Sequence, residues 1–400
     1  MKASKFMKAP KKSSLFIIGL IAVVNAIGYG IIIPVLYVYS MKFGLSDAQN
    51  GLLFATYSLC QFISTPVIGR LSDKFGRRPL LISSIIGTAI SFFMMAFAPN
   101  AIFLFFARAL DGITAGNITV ASAVVADTTE GKDRARGFGI IGASFGFGFI
   151  AGPAITALTS GISLSLPFIV AGVISAVAAI LTYYLLPETN RTIGKVKNEP
   201  LFNLTQLFSV LVNKTIAPIL IITLLHFTAL SLFIFAYQPF TVKVLHLSPV
   251  EVSMVFTLFG IMSVISQLLI LPRVSKLLRA EQLLRALFFI LILAFVGFAQ
   301  THTLGLFIVF SILLSLTNNL VNPLLQTILS LETDAASQGS MQGISASYMS
   351  IGQIIGPILG GVIAQQSINA PFLAGAGFVA VCGILSLLIP ATIKKRESAF

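Results

Sequence analysis

GFIAGPAITAL, Gly148 to Leu158, falls on GQIIGPILGGV, Gly352 to Val362, when the chain is slid along itself by 204 residues. Gly148 then meets Gly352, Gly152 meets Gly356 and Pro153 meets Pro357, and the same shift lays Pro167-Phe168 on Pro371-Phe372. One register across two neighbouring helix pairs makes the repeat parallel, so the chain is built twice in one direction. The halves run 1–187 and 215–400. Between them, 188–214 is polar, lacks apolar periodicity and reads as a cytoplasmic linker with room for a short surface helix.

Composition assigns the solvent. Of the 400 residues 56% are hydrophobic and only 10% charged, against about a quarter charged in soluble proteins, and mean hydropathy is +0.96. A hydrocarbon core about 30 Å thick takes about 20 apolar residues per helix. Such runs occur near 15–38, 49–69, 79–98, 101–125, 136–160, 165–186, 216–240, 250–272, 282–300, 303–328, 338–364 and 368–390. The expected fold is an all-α membrane protein of twelve transmembrane helices in two pseudo-symmetric six-helix bundles. The first run has no small-residue cleavage site and more spans follow it, so it reads as a span and not a removable signal. Cys60 and Cys382 fall inside separate predicted helices and imply neither a disulfide framework nor a metal site.

The net charge of +13 is a matter of placement. Basic residues crowd the N-terminal tail, the turn after the second span (Arg70, Lys74, Arg77, Arg78), the turn after the fourth (Lys132, Arg134, Arg136), the linker, the surroundings of the turn after the eighth (Arg273, Lys276, Arg279, Arg285) and the C-terminal tail. The alternate loops hold only Lys42 and Lys243. By the positive-inside rule both termini are cytoplasmic, and the excess is a topology signal that excludes nucleic acid as the expected partner.

Polar groups inside spans are expensive and need a partner or a water-filled cavity. Of thirteen acidic residues only Asp111 lies deep within a predicted span, about 15 Å in at 1.5 Å per residue. Arg108, three residues earlier, shares its face. Three readings stay open: a pair that neutralises itself and fixes packing, a titrating pair in which protonation of Asp111 changes the charge that Arg108 shows to a substrate, or direct substrate binding without protons. His226, with an unperturbed pKa of about 6.5, is a second proton candidate or an ordinary interhelical hydrogen bonder. Asn25 and Tyr29 in the first span, Phe233 and Tyr237 in the seventh, and Ser315, Asn318, Asn319 and Asn322 in the tenth, with Gln326 beyond them, are the candidate substrate-binding groups. No P-loop, metal-ligand cluster or nucleophile elbow appears, so neither ATP-driven transport nor enzymatic catalysis is expected, and no cofactor or metal.

GRLSDKFGRR, Gly69 to Arg78, combines turn glycines with charges at the cytoplasmic membrane face. The Gly-Pro motifs around Gly148, Gly152, Pro153, Gly356 and Pro357 admit close packing and a bend, which serves either tight packing alone or a hinge.

These motifs resemble those of the major facilitator superfamily. GRLSDKFGRR matches its GxLxDxxGRR signature at every fixed position, RALDGITAGN (Arg108 to Asn117) is similar to its fourth-helix motif, and GFIAGP is similar to the fifth-helix motif of the twelve-helix drug/proton antiporter branch. The stretch from Arg108 to Pro153 looks most like the tetracycline/proton antiporters. The resemblance implies alternating access, a cavity lined by helices 1, 4, 7 and 10, and a gate in which Gly69, Asp73, Gly76, Arg77 and Arg78 act with Asp127, Arg134 and Arg136 to hold the outward-open state. Asn25 stands where those antiporters carry an aspartate. Asparagine cannot titrate, so Asp111 or His226 must carry any coupling proton. The expected function is proton-coupled efflux of amphipathic drug-like molecules by a monomer in the bacterial inner membrane, powered by the proton gradient. A facilitator or symporter of a small polar metabolite and a non-transporting receptor or scaffold are the alternatives.

Overall fold

The computed structural model describes residues 11–129, 131–190, 204–334 and 337–389, and among these every regular element is helical. The first three spans are Lys11–Met41, Asp47–Phe75 and Arg77–Ala96. The fourth is in two pieces, Ala101–Thr114 and Asn117–Thr128, and Gly131–Ser160 and Leu166–Leu185 complete the first half. A short helix, Leu204–Ser209, and a 3₁₀ turn, Val210–Val212, lead to the seventh span, Ile216–Lys243. The eighth, Pro249–Ile265, runs through a π-helical stretch, Ser266–Ile270, into Leu271–Val274. Ala280–Gln300, Leu304–Leu331, Gln338–Gln366 and Ala370–Ser386 follow. Among the described residues eleven spans are long and apolar enough to cross a bilayer, and the twelfth, at 17 residues, lies at the short end of the usual range of about 17–25.

Local chemistry sets the ends of these helices. Asn100 accepts the N–H of Phe103 at 2.9 Å, Ser248 and Glu251 form a reciprocal capping box, and prolines open the sixth, eighth and twelfth spans, where a missing N–H costs nothing. Outward stripes are apolar at helical spacing: Val173, Val177, Ile180 and Tyr184 are all exposed on the sixth span. With lipid as solvent, exposure of such a stripe is the expected arrangement.

Contacts divide the chain into two compact units, Met1–Val35 with Cys60–Leu201, and Leu36–Leu59 with Phe202–Phe400. In the first unit an aliphatic core joins Ile17, Ile21, Leu81, Ile85, Val120, Val124 and Ala178, and the third span packs on the fourth and sixth. The second unit repeats that plan, its ninth span packing on the tenth and twelfth, but its core is aromatic. Phe233, Tyr237, Phe240, Phe256, Phe298, Phe307 and Phe372 are buried together, with Phe233 5.1 Å from Phe298 and Phe298 5.2 Å from Phe307 between ring centroids. The segment joining the first two spans, Leu36–Leu59, groups with this second unit and not with the remainder of 1–187.

Candidate functional site

The fourth span carries the ion pair. Arg108 Nη1 lies 2.7 Å from Asp111 Oδ2, with the two side chains 2% and 7% exposed. An isolated charge at this depth would cost several kcal/mol, so each group depends on the other. Helices around them complete the neighbourhood: Ser91 of the third span bonds to Asp111, and Tyr29 and Cys60, from the first and second, feel the charge of Arg108. Tyr29 and Asn25 share a partly exposed face. Tyr29 sits edge-on to Phe149 at 5.9 Å, and the Asn25 amide donates to Ile21 O at 2.8 Å.

One turn beyond Asp111 the helix breaks, where the sequence reads as a single span over 101–125. Thr114 Oγ1 donates back to Leu110 O and Asp111 O at 3.0 and 3.1 Å, and Ser64 of the second span donates to Gly112 O at 3.2 Å. Side-chain hydroxyls that take helix carbonyls compete with the main-chain ladder. Gly116 lets the broken segment lie against Ile68. The break and the pair are therefore neighbours by construction.

The second-unit candidates separate into two groups. Phe233 and Tyr237, expected on a substrate-binding face, are instead inside the aromatic core, 0% and 1% exposed, and the Tyr237 hydroxyl donates to Val252 O at 3.0 Å. Their spacing on one helical stripe is that of a core face, which periodicity alone does not distinguish from a cavity face. His226, also buried, lies between Phe227 and Phe288 with ring centroids at 5.5 and 6.2 Å. Ser315 is buried and joins the tenth span to the eighth through Phe259 O at 2.6 Å, and Asn318 is buried as well. Asn319, Asn322 and Gln326 remain partly exposed at helical spacing. Asn319 is bonded to Ser315 O at 2.8 Å and Gln326 to Ser345 at 3.3 Å, while Asn322 Oδ1 has no partner among the described residues.

The turn between the second and third spans is held by a chain of charges. Arg77 pairs with Asp73 at 2.6 Å and with Asp127 of the fourth span at 3.0 Å, and also donates to Ser72 Oγ at 2.6 Å. Arg78 turns to the sixth span, donating to Tyr183 O at 2.6 Å and lying 5.1 Å from its ring. Gly69 has Thr119 close by. The side chains of Arg134 and Arg136 are outside the described residues. Two partners were not legible in the sequence. Glu188 accepts the N–H groups of Arg77 and Arg78 at 2.9 and 3.1 Å, and the amide of Asn190 donates to Asp73 O at 3.0 Å. Gly76 has φ 107°, and any side chain there would collide with the Glu188 carboxylate.

The Gly-Pro motifs bring backbones together. Gly148 and Gly152 face Ala26, Ile27 and Gly30 of the first span, and Gly352 and Gly356 face Leu224, Thr228 and Ser231 of the seventh. Pro357 and Gly361 face Gly51 in the same close manner. Beside them a second charged cluster, also missed, fastens the Leu36–Leu59 segment within its unit. Lys243 reaches both Asp47 oxygens at 2.8 and 2.9 Å, Tyr37 donates its hydroxyl to Asp47 at 2.5 Å, and the Tyr37 N–H donates to Gln238 Oε1 at 2.9 Å. The signal available was Lys243 itself, one of two bases on the side where the positive-inside rule expects none.

A family model described as Major Facilitator Superfamily matches residues 18–299 and 219–399. The chain belongs to the Major Facilitator Superfamily. As a superfamily member it is a multi-pass integral membrane transporter, and no enzymatic activity is indicated. It is 41% identical over 170 residues to the class C tetracycline resistance protein of Escherichia coli, covering 42% of this chain and 43% of that protein. To the quinolone resistance protein NorA of Staphylococcus aureus (strain MSSA476) it is 31% identical over 253 residues, 62% and 64% of the two chains. The matches thus span 43% and 64% of the length of these curated relatives. A bacterial homologue of the human lysosomal transporter Spinster superposes with TM-score 0.78 at 16% identity over 95% of this chain and 96% of its own, and the nucleoside transporter NupG with 0.77 at 16% over 94% and 98%. At such identity the likeness is one of fold.

Proposed function

We propose that the chain is a proton-coupled exporter of amphipathic, drug-like molecules that works by alternating access, as a monomer in the bacterial inner membrane with both termini cytoplasmic. The observation that carries this reading is the buried Arg108–Asp111 pair, 2.7 Å apart. Ionised Asp111 accepts from Arg108. When a proton neutralises the carboxylate, the charge attraction that holds the guanidinium is lost, and the site changes what it offers a substrate. One proton and one substrate thus compete for the same electrostatic resource, which is the chemical requirement of exchange. The relatives named for tetracycline and quinolone resistance support a drug-like substrate class. Asp111 is the preferred proton carrier over His226, which is buried beside the rings of Phe227 and Phe288. The Asp73–Arg77–Asp127 chain serves as the cytoplasmic gate, with the Gly-Pro seams as its packing surfaces.

The test uses proteoliposomes loaded with a pH-sensitive dye and tetracycline as probe. Tetracycline-dependent proton movement is expected in the native chain and in His226→Asn, and its loss in Asp111→Asn. Proton movement that persists unchanged in Asp111→Asn overturns the coupling role, and tetracycline flux without any proton movement favours a facilitator.

A further inference from the structure

The tail of the sixth span closes the gate turn at both of its ends. Two helices meet there, the second offering carbonyls at its C-terminus and the third offering N–H groups at its N-terminus, and each set lacks intrahelical partners. Glu188 takes the N–H groups of Arg77 and Arg78 at 2.9 and 3.1 Å, a carboxylate at the positive end of a 20-residue helix. The Asn190 amide covers the other side, reaching Ser72 O at 3.5 Å and Asp73 O at 3.0 Å. Glu188 is itself fixed, because its Oε1 also accepts the N–H groups of Thr189 and Asn190 at 2.9 and 2.8 Å.

The clamp and the gate signature occur together. Shifted by 204 residues, GRLSDKFGRR becomes RVSKLLRAEQ, Arg273 to Gln282, without the glycines or the aspartate. Under the same shift Pro187-Glu188-Thr189 falls on Ala391-Thr392-Ile393, without the carboxylate. There the polarity of the contact is reversed: Arg285 of the ninth span donates to Ser386 O and Ile389 O, both at 3.2 Å. A capping contact needed only to end helices would suit both halves equally. A carboxylate and an amide confined to the half that carries Asp73 and Arg77 serve that turn. We infer that Glu188 and Asn190 are positioning residues of the transport cycle, which fix the backbone from which Arg77 reaches Asp73 and Asp127. The inference rests on the gate reading proposed above.

Cys60 supplies a native reporter, since it is partly exposed and within the electrostatic reach of Arg108. In the full chain in inside-out membranes, its rate of labelling by an impermeant maleimide reads access to the site from the cytoplasmic face. Hydrogen exchange at the Arg77 and Arg78 amides reads the clamp directly. Glu188→Ala should raise exchange at those two amides by about tenfold or more while the middle of the third span stays protected. It should shift Cys60 labelling in the same direction as Asp73→Asn. Glu188→Gln, which keeps an acceptor oxygen without the charge, should fall between, and added formate should restore part of the protection in Glu188→Ala. Labelling that shifts in Asp73→Asn but not in Glu188→Ala or Glu188→Gln overturns the positioning role. Labelling unchanged in Asp73→Asn overturns the gate reading instead, and the inference with it.

Discussion

Asp111 is the acid whose surroundings decide most, since its counter-charge is on its own helix, the Ser91 hydroxyl bonds to it from the third span, and Tyr29 and Cys60 feel the charge of its partner Arg108. Asp111→Asn should abolish substrate-driven proton movement while leaving thermal stability in detergent close to native, because the isosteric amide still accepts from Arg108. Gly76 is constrained twice, by φ 107° and by the carboxylate beside it. Gly76→Ala should therefore lower stability by about 1–3 kcal/mol, read as a fall in the midpoint of thermal unfolding, with Lys74→Ala, two residues away on an exposed side chain, nearly silent. At this scale the sequence showed what is unusual about a single position: the lone acid in a span, the signature aspartate, the stray lysine. Glu188 was hidden because its partners lie 110 and 111 residues away, and nothing in a polar linker marks one carboxylate as a helix cap.

Spans were legible as spans, since twenty apolar residues announce themselves, yet their interruptions were not. The break at Ala115–Gly116 depends on hydroxyls that reach across from Ser64 and back from Thr114, and the π stretch in the eighth span is fastened through Ser266 to Leu316 O at 2.5 Å. Those contacts are tertiary, and periodicity reports only which residues share a face. For the same reason Phe233 and Tyr237 looked like cavity residues and proved to be core. Phe233→Ala should cost about 3–5 kcal/mol, measured as a drop in unfolding midpoint, and the effect on substrate affinity should be small beside it. The reverse pattern, native stability with weakened binding, would return Phe233 to the substrate face. On the seam between the first and fifth spans, Gly152→Val should prevent close approach to Ile27 and Gly30 and leave little folded protein, as judged by monodisperse elution from a sizing column.

The parallel repeat was visible across the whole molecule, and so was the sidedness of its charges, because both are one-dimensional patterns. The asymmetry between the halves was only partly visible: an aliphatic first core against an aromatic second one, and a signature turn held by Glu188 and Asn190 against a counterpart whose sequence carries neither. Least visible was the allegiance of the Leu36–Leu59 hairpin, which follows from contacts with residues near 240 and 360. In a double-mutant cycle, Asp47→Asn and Lys243→Gln should show a coupling of about 1 kcal/mol in thermal unfolding, consistent with a partly exposed ion pair; additivity would make the pair incidental. The hairpin also sets a timetable for biogenesis. Asp47 leaves the ribosome 196 residues before Lys243, a lag of about 10–40 s at 5–20 residues per second. Throughout that interval the first two spans are in the membrane with an acid and a bare glycine seam awaiting partners that have not been synthesised. A chain cut within the linker would leave that wait unended, so the first half expressed alone should be the preferred prey of membrane proteases, and co-expression of the second half should rescue it.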